Sequence, residues 1–474
     1  MSKNLLAQMR EGRELTKGQQ IQLICTLSMP AILAQISSIV MQYIDASMVG
    51  SLGAQASASI GLVSTSAWLF GGICGAVSSG FSIQAAHCVG AGDTERARSV
   101  MRQSFFSACL VSIVLALCGI LVAGRLPGWL GASSGLQEDA SRYFLVFVCS
   151  LPIVQINRLA GGMLQSSGNM RTPGMLNIIM CMLDVVFNSL LIFPVRRIPV
   201  AGAMLTIPGM GMGVVGAALG TAFAQLVTGV LMVGYLFFRS DLFRIRRGES
   251  WRPQKSCIHR ALRLALPIGM ENVMMCGAMI ATTRIVAPLG AVAIAANSFA
   301  ITAESLCYMP GYGVAEAAAT LTGQSIGAGR MDLTRRFARM SVWTGVVIMA
   351  CTGAAMFSGA PFMMSLLTPE RQIRQLGIRI LRIEVFAEPL YAASIVASGA
   401  LRGTGDTMIP SMMNFISIWC VRIPLAVLLV GELGLSGVWI AMCLELCFRG
   451  GIFLIRLYRE RWLRVHTGPA GREP

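Results

Sequence analysis

The chain has 474 residues, 55% of them hydrophobic and only 13% charged, against about 25% charged in soluble globular domains. A mean hydropathy of +0.67 leaves too little polar surface to cover soluble domains of this length, so a bilayer must be the missing solvent. The net charge of +16 would point to nucleic acid in a soluble protein, and its placement along the chain decides otherwise.

In chain order, residues 1–22 are polar and mixed in charge, with no apolar core for a cleavable signal, so the first apolar run is expected to act as the insertion signal. A hydrocarbon core about 30 Å thick takes about 20 apolar residues of helix. Twelve runs meet that length, near 23–50, 57–86, 98–123, 142–165, 173–194, 212–238, 260–287, 294–325, 335–360, 376–402, 410–430 and 434–457. They are continuously apolar, unlike the alternating segments of about ten residues that build a β-barrel. We therefore expect an all-α integral membrane protein with twelve transmembrane helices.

With both termini on one side, the N-terminal arm, the even-numbered connections and the C-terminal tail take 26 of the 38 Lys and Arg, and the odd-numbered connections take 8. The positive-inside rule then places both termini in the cytoplasm, in a plasma (inner) membrane. The middle connection is richest, with Arg239, Arg244, Arg246, Arg247, Arg252, Lys255, Arg260 and Arg263; this run suits topology and anionic lipid rather than nucleic acid. Arg371, Arg374, Arg379 and Arg382 oppose the rule at the outer end of the tenth run. The 14 cysteines are scattered singly and His87, His259 and His466 lie far apart, so neither a disulfide framework nor a metal centre is expected.

The chain matches itself at a shift of 237 residues. Leu27 and Pro30 fall on Leu264 and Pro267, Leu52-Gly53-Ala54 on Leu289-Gly290-Ala291, Gly90-Ala91-Gly92 on Gly327-Ala328-Gly329, and Gly168, Pro173, Met175 and Asn177 on Gly405, Pro410, Met412 and Asn414. Register is lost around Val195–Met210, an extra stretch of the first half. Six helices per half give both halves one orientation: an N-lobe (1–238), a basic linker (239–259) and a C-lobe (260–474), related by a pseudo-two-fold along the membrane normal. Such paired bundles are transporter architecture, with the site near mid-bilayer.

Polar residues inside the runs mark that site. Gln35, Ser38, Gln42 and Asp45 share one face of the first helix. A charge at a helix centre costs about 2.5–3.5 kcal/mol and normally faces a bundle interior or a wet cavity. The fifth run carries Asn177, Asp184 and Asn188 with Cys181 on the same stripe, so its acid is expected to face Asp45. The second half offers Glu271, Thr282 (the repeat counterpart of Asp45), Glu304, Glu316, Glu384, Glu388 and Tyr391. Arg284 and Arg422 need acidic partners, and Arg284 is expected to pair with a second-half glutamate. Gly211-Met-Gly-Val-Val-Gly216 matches a dinucleotide fingerprint but follows no strand and opens a membrane helix, so it is read as close helix packing. No phosphate-binding loop or zinc-protease motif occurs, which argues against an ATP-driven pump or a membrane enzyme and leaves no cofactor beyond a transported ion. The 30 methionines suit an adaptable cavity.

Together Asp45-Ala-Ser-Met-Val-Gly-Ser-Leu-Gly53, Val89-Gly-Ala-Gly92 with its repeat Gly323-Gln-Ser-Ile-Gly-Ala-Gly329, Leu401-Arg-Gly-Thr-Gly-Asp-Thr407 and Gly437-Val-Trp-Ile440 resemble the multidrug and toxic compound extrusion (MATE) family of cation-coupled antiporters. The resemblance implies export of amphipathic, often cationic compounds in exchange for H⁺ or Na⁺. It makes Asp45, Asp184, Asn188 and Thr221, with Asn177, the cation-coupling group. The cavity would be lined by Gln35, Ser38, Gln42, Glu271, Thr282, Arg284, Glu388 and Tyr391. Two departures stand out: Asp184 and Asn188 reverse an Asn-x-x-x-Asp pair, and Met275 and Tyr391 stand where some branches carry acids. A monomer acting on small molecules is expected. A lipid-linked oligosaccharide flippase, which would want several cavity arginines, and a membrane-embedded transferase are the alternatives.

Overall fold

Thr16 and Gln19 form a reciprocal capping box, Gln19 N–H to Thr16 Oγ1 at 3.3 Å and Thr16 N–H to Gln19 Oε1 at 2.9 Å, which starts the first long helix. The computed structural model describes residues 2–11, 13–131, 134–200, 203–246 and 249–464. After an amphipathic helix Ser2–Arg10, the N-lobe runs α1 (Lys17–Gly50), α2 (Ala54–Gly90), α3 (Thr94–Ala123), α4 (Ser134–Ser166), α5 (Arg171–Ile192) and α6 (Gly213–Gly234). The C-lobe runs α7 (Lys255–Val286), α8 (Ala291–Gly327), α9 (Met331–Leu367), then α10 in two pieces (Arg371–Glu384 and Glu388–Gly403), α11 (Met408–Ile416 and Ile423–Leu433 around a π turn) and α12 (Leu435–Arg459).

Eleven of these helices are long and apolar enough to cross a membrane unbroken. The tenth span crosses as two pieces because Pro389 lacks the N–H that would bond Val385 and crowds that carbonyl, leaving a 3₁₀ turn over Val385–Ala387. Ile380 and Leu381 of its first piece pack in one apolar core with α8, α9 and α12, and Val396 to Leu401 of its second piece in another. The four arginines that opposed the charge rule lie on this first piece, Arg371 and Arg379 exposed and Arg382 over the ring of Phe357, so they flank the span rather than enter its core.

The spans are all helical, as expected, and one element lies outside them. The extra stretch of the first half is an antiparallel hairpin, β1 (Pro194–Val200) with β2 (Ala203–Met210), pairing Pro194 with Met210. Its β-branched, proline-containing sequence suits a strand pair but is too short and polar for a span. The expected linker 239–259 is also shorter, because helix α7 already begins at Lys255.

The repeat identities are largely turn glycines. Gly92 and Gly329 hold φ of 74° and 72°, and Gly168 and Gly405 hold 88° and 92°, backbone that L side chains rarely adopt. The pseudo-two-fold also appears in contacts between lobes. A Cβ on Gly90 would strike the backbone of Gln324, and one on Gly327 would strike the backbone of His87; each contact is the other's image under the repeat. Helix α1 packs on α8 of the opposite lobe and α2 on α7.

These contacts gather at the face carrying the N-terminus, here the proximal face. His87 Nε2 lies 2.8 Å from Gly403 O, Gln324 donates to Ser166 O at 2.6 Å, and Arg10 reaches Gln324 Oε1 at 3.1 Å and Ser167 O at 3.3 Å. The C-terminal end of α12 lies on the same face, where Glu460 pairs with Arg335 at 2.9 Å and Arg339 at 2.6 Å at the start of α9. At the distal end the cores are separate, Val49, Ala56, Ile192, Val214 and Ala217 in one lobe and Val286, Ala293, Leu435 and Trp439 in the other. Along α1 the lobes stay in contact as far as Tyr43, whose hydroxyl donates to Thr302 O of α8 at 2.6 Å, and the cleft opens distally beyond that bond.

Candidate functional site

In the distal half of the N-lobe, helical spacing on α1 and α5 turns their acids toward each other. Asn188 Nδ2 donates to Asp45 Oδ1 at 2.9 Å and to Asp184 Oδ2 at 3.0 Å, and the two carboxyls lie against one another. Asp184 and Asn188 are fully buried, whereas Asp45 is only partly so and faces the opening. Thr221 of α6 touches Asp184, and Gly220 beside it makes room for Asn188, whose Oδ1 occupies the space a Cβ would fill. Asp184 Oδ1 and Asn188 Oδ1 are buried without a hydrogen-bond partner. Thr221 and Tyr143 also line a recess of about 310 Å³, its open mouth included, between α4 and α6. Contrary to expectation a strand does precede the glycine run, since β2 ends at Met210, but that strand belongs to an antiparallel hairpin and Gly216 abuts the Leu191 carbonyl, so the run opening α6 is a packing device.

Asn177 plays a different part. Its Nδ2 donates to Ala34 O at 3.1 Å and Ser38 Oγ at 2.9 Å, tying α5 to α1 below the acids. Its repeat counterpart Asn414 donates to Glu271 Oε1 at 2.8 Å, where Glu271 stands in the place of Ala34. Glu271 also accepts from Arg402 at 2.6 Å and Ser411 at 2.5 Å. Its charge is thus neutralised by Arg402, and the expected pairing with Arg284 is not present. Arg284 is exposed at the distal end of α7, nearly four turns from Glu271, and makes no ion pair among the described residues. Thr282 bonds its own helix at Ala278 O, 2.9 Å away, and Gln42 is exposed.

Arg422 finds Glu445 of α12 at 2.7 Å, a carboxylate that also takes Arg449 at 2.9 Å and Ser417 at 2.5 Å. Tyr391 lies under the Arg449 guanidinium, 5.3 Å from ring centroid to Cζ. Glu384 and Glu388 are buried beside Glu304 with no hydrogen bond to either carboxylate. The described residues bring no metal-holding group of three His, Cys, Asp or Glu together.

Between the lobes, Gln35 of α1 donates to Glu316 Oε1 at 2.9 Å and Gln165 of α4 to Glu316 Oε2 at 3.0 Å, so one C-lobe carboxylate is clasped by two N-lobe amides. The sequence had placed Gln35 on a polar face without a partner. Arg158 and Gln165 were not singled out by the sequence, because a single polar residue within a run reads the same whether it snorkels to lipid headgroups or faces inward, and Arg402, though part of the Leu401–Thr407 motif, carried no sign of its partner.

The MatE family profile matches residues 30–190 and again 267–428, two segments whose starts lie 237 residues apart. The chain belongs to the MatE family. This MatE chain is 26% identical over 441 residues to a probable multidrug resistance protein NorM of Thermotoga maritima, covering 92% of each. Its fold superposes on an outward-facing multidrug resistance MATE family transporter of the MOP superfamily with a TM-score of 0.86 at 21% identity, covering 96% of this chain and 100% of that one. A MOP superfamily transporter of Pyrococcus furiosus, described as having a binding pocket of reverse polarity, superposes with a TM-score of 0.84 at 20% identity over 94% of this chain and 98% of that one. The MatE chain is thus a multi-pass membrane protein of a transporter family, built as two six-helix lobes.

Proposed function

We propose that this chain is a secondary active multidrug exporter, expelling amphipathic compounds, cationic ones among them, in exchange for H⁺ or Na⁺ by alternating access. The observation that carries the proposal is the distal pair of touching carboxyls, Asp45 and Asp184, bridged by Asn188 with buried oxygens left over. Two carboxylates 4 Å apart repel by about 4 kcal/mol at an effective dielectric of 20, so the pair is suited to hold a positive charge between them. Thr221 and Asn188 supply further oxygens, and Asn177 fixes α5 against α1. The excess of Lys and Arg at the proximal ends supports a cytoplasmic proximal face; the pocket would then open to the outside, where a cation gradient would load it.

Loading closes the acids around the cation, tightens α1 on α5 and α6, and disfavours drug in the adjoining cleft. Return of the lobes to a proximally open state releases the cation inside. One charge crossing 100 mV supplies about 2.3 kcal/mol, roughly fifty-fold in the gradient of a neutral substrate. The protein would act as a monomer in the inner membrane. In everted vesicles, Asp45→Asn is expected to abolish cation-driven substrate accumulation at wild-type expression; full activity in that variant would refute the assignment.

A further inference from the structure

One cation in the cleft has no use in the scheme above. Arg158 lies within the α4 span, seven residues and two turns distal to Gln165 on the same helical face. Gln165 is bound to Glu316 of the opposite lobe, so that face looks into the interface, and Arg158 stands about 10.5 Å above the closed floor. Its guanidinium lies along α2 on a path cleared by glycines. A Cβ added at Gly75 would stand 3.0 Å from Nη1, and one at Gly71 would stand 4.0 Å from Nη2. Gly72 between them does the same for Asn272 of the opposite lobe, whose Cγ would lie 3.0 Å from an added Cβ.

Arg158 is solvent-exposed, and among the described residues it makes no hydrogen bond or ion pair; Glu316 is near enough only to interact at a distance. An arginine at membrane depth without a partner is costly and faces a wet cavity. One turn above Gly71, Trp68 is 62% exposed. It stands eighteen residues, five full turns, from Ala86, which packs on Gly323 of α8, so Trp68 also faces the opposite lobe. The cleft thus presents an aromatic plane above an unpaired guanidinium, with a carboxylate farther off.

We propose that Arg158 binds the anionic group of a transported compound and so is the residue by which this chain discriminates a free acid from its uncharged ester. Trp68 stacks on the aromatic body, the guanidinium takes the anion, and Glu316 faces the positive end. This deepens the exporter reading above but is read out by binding alone, so the two fail separately.

The test uses rhodamine 110, a zwitterion with a free carboxyl, and rhodamine 123, its methyl ester, with fluorescence anisotropy on the purified full-length protein. Wild type is expected to bind the free acid about tenfold more tightly than the ester, the worth of one charge-assisted contact. R158Q should erase that preference and leave the ester within about twofold, while R158K should keep most of it. If wild type binds neither dye, or prefers neither, or if R158Q weakens both equally, the assignment of Arg158 is overturned; the wild-type ratio decides even if R158Q does not fold. Added phosphatidylglycerol separates two sources of the anion. Displacement of the free acid by this lipid identifies a lipid phosphate as the natural occupant, its failure identifies a solute, and both outcomes keep Arg158 as the anion site. Loss of gradient-driven transport with the binding preference intact would count against the exporter reading instead.

Discussion

Asn188 donates to both acids through one amide nitrogen, so any shift of its side chain unsettles the pair as a whole. Gly220 is what lets it sit there. Gly220→Val should push Asn188 away, at a cost of about 1–3 kcal/mol for overpacking, and eliminate cation-driven efflux. Gly161→Ala is the control, since the nearest atoms to its added Cβ are 3.9 Å away, and it should leave both melting temperature and efflux unchanged. Equal loss in both variants would mean that helix packing in general, and not the acid pair, sets activity. At this scale the sequence was most informative where chemistry followed helical period. Asp45, Asp184 and Asn188 fall on predicted faces, and the structure brings those faces together. The partners of Glu271 were not legible, because whether Arg402 or Arg284 reaches it depends on how α7, α10 and α11 cross, which no spacing within one helix encodes.

Helix α10 carries its break between two unpartnered carboxylates, and Pro389 is its local cause. Pro389→Ala returns an N–H that can bond Val385, so amide exchange across Val385–Ala387 should slow by about tenfold, the worth of one net hydrogen bond. Unchanged exchange would mean that the packing of Glu384 and Glu388 holds the turn open. The connection between the lobes is tied to α3 by Glu249, which Arg98 grips at 2.6 Å and Arg102 also pairs with. Burial works against the Glu249 charge, but the hydrogen bond from Arg98 and the two guanidiniums outweigh it and hold this carboxyl below its ordinary value. A depressed folded-state pKa stabilises fully above the unfolded value, about 4.3, and the contribution is lost as pH falls through the depressed one. Glu249→Gln should therefore lower the melting temperature at neutral pH and leave it closer to wild type at strongly acidic pH; a constant difference across pH would place the effect in packing. Among elements, the twelve runs were legible from apolar length alone. The hairpin was visible only as a loss of repeat register, and the α10 break lay in one proline inside an otherwise continuous run.

On the scale of the whole molecule, the 237-residue repeat foretold two lobes in one orientation, and the mirrored contacts of Gly90 with Gln324 and Gly327 with His87 show where their axis passes. Which face is closed was not legible, since the repeat motifs and the apolar runs read the same whichever face the lobes meet on. The proximal closure includes the Glu316 clasp, and Gln35→Ala with Gln165→Ala strips a half-buried carboxylate of its two amide donors, each hydrogen bond to a charged group being worth about 1.5–3 kcal/mol. Distances between spin labels on the proximal ends of α3 and α9, in a background freed of its 14 cysteines, should then shift toward a proximally open population. An unchanged distribution would show that the glycine contacts alone hold the closure. The central claim is that a cation bound by Asp45 and Asp184 drives export, and proteoliposomes under separate H⁺ and Na⁺ gradients test it most directly. One gradient alone should drive dye movement in wild type, and none should do so in Asp45→Asn with Asp184→Asn. Dye movement indifferent to both gradients, or undiminished in the double variant, would contradict the account.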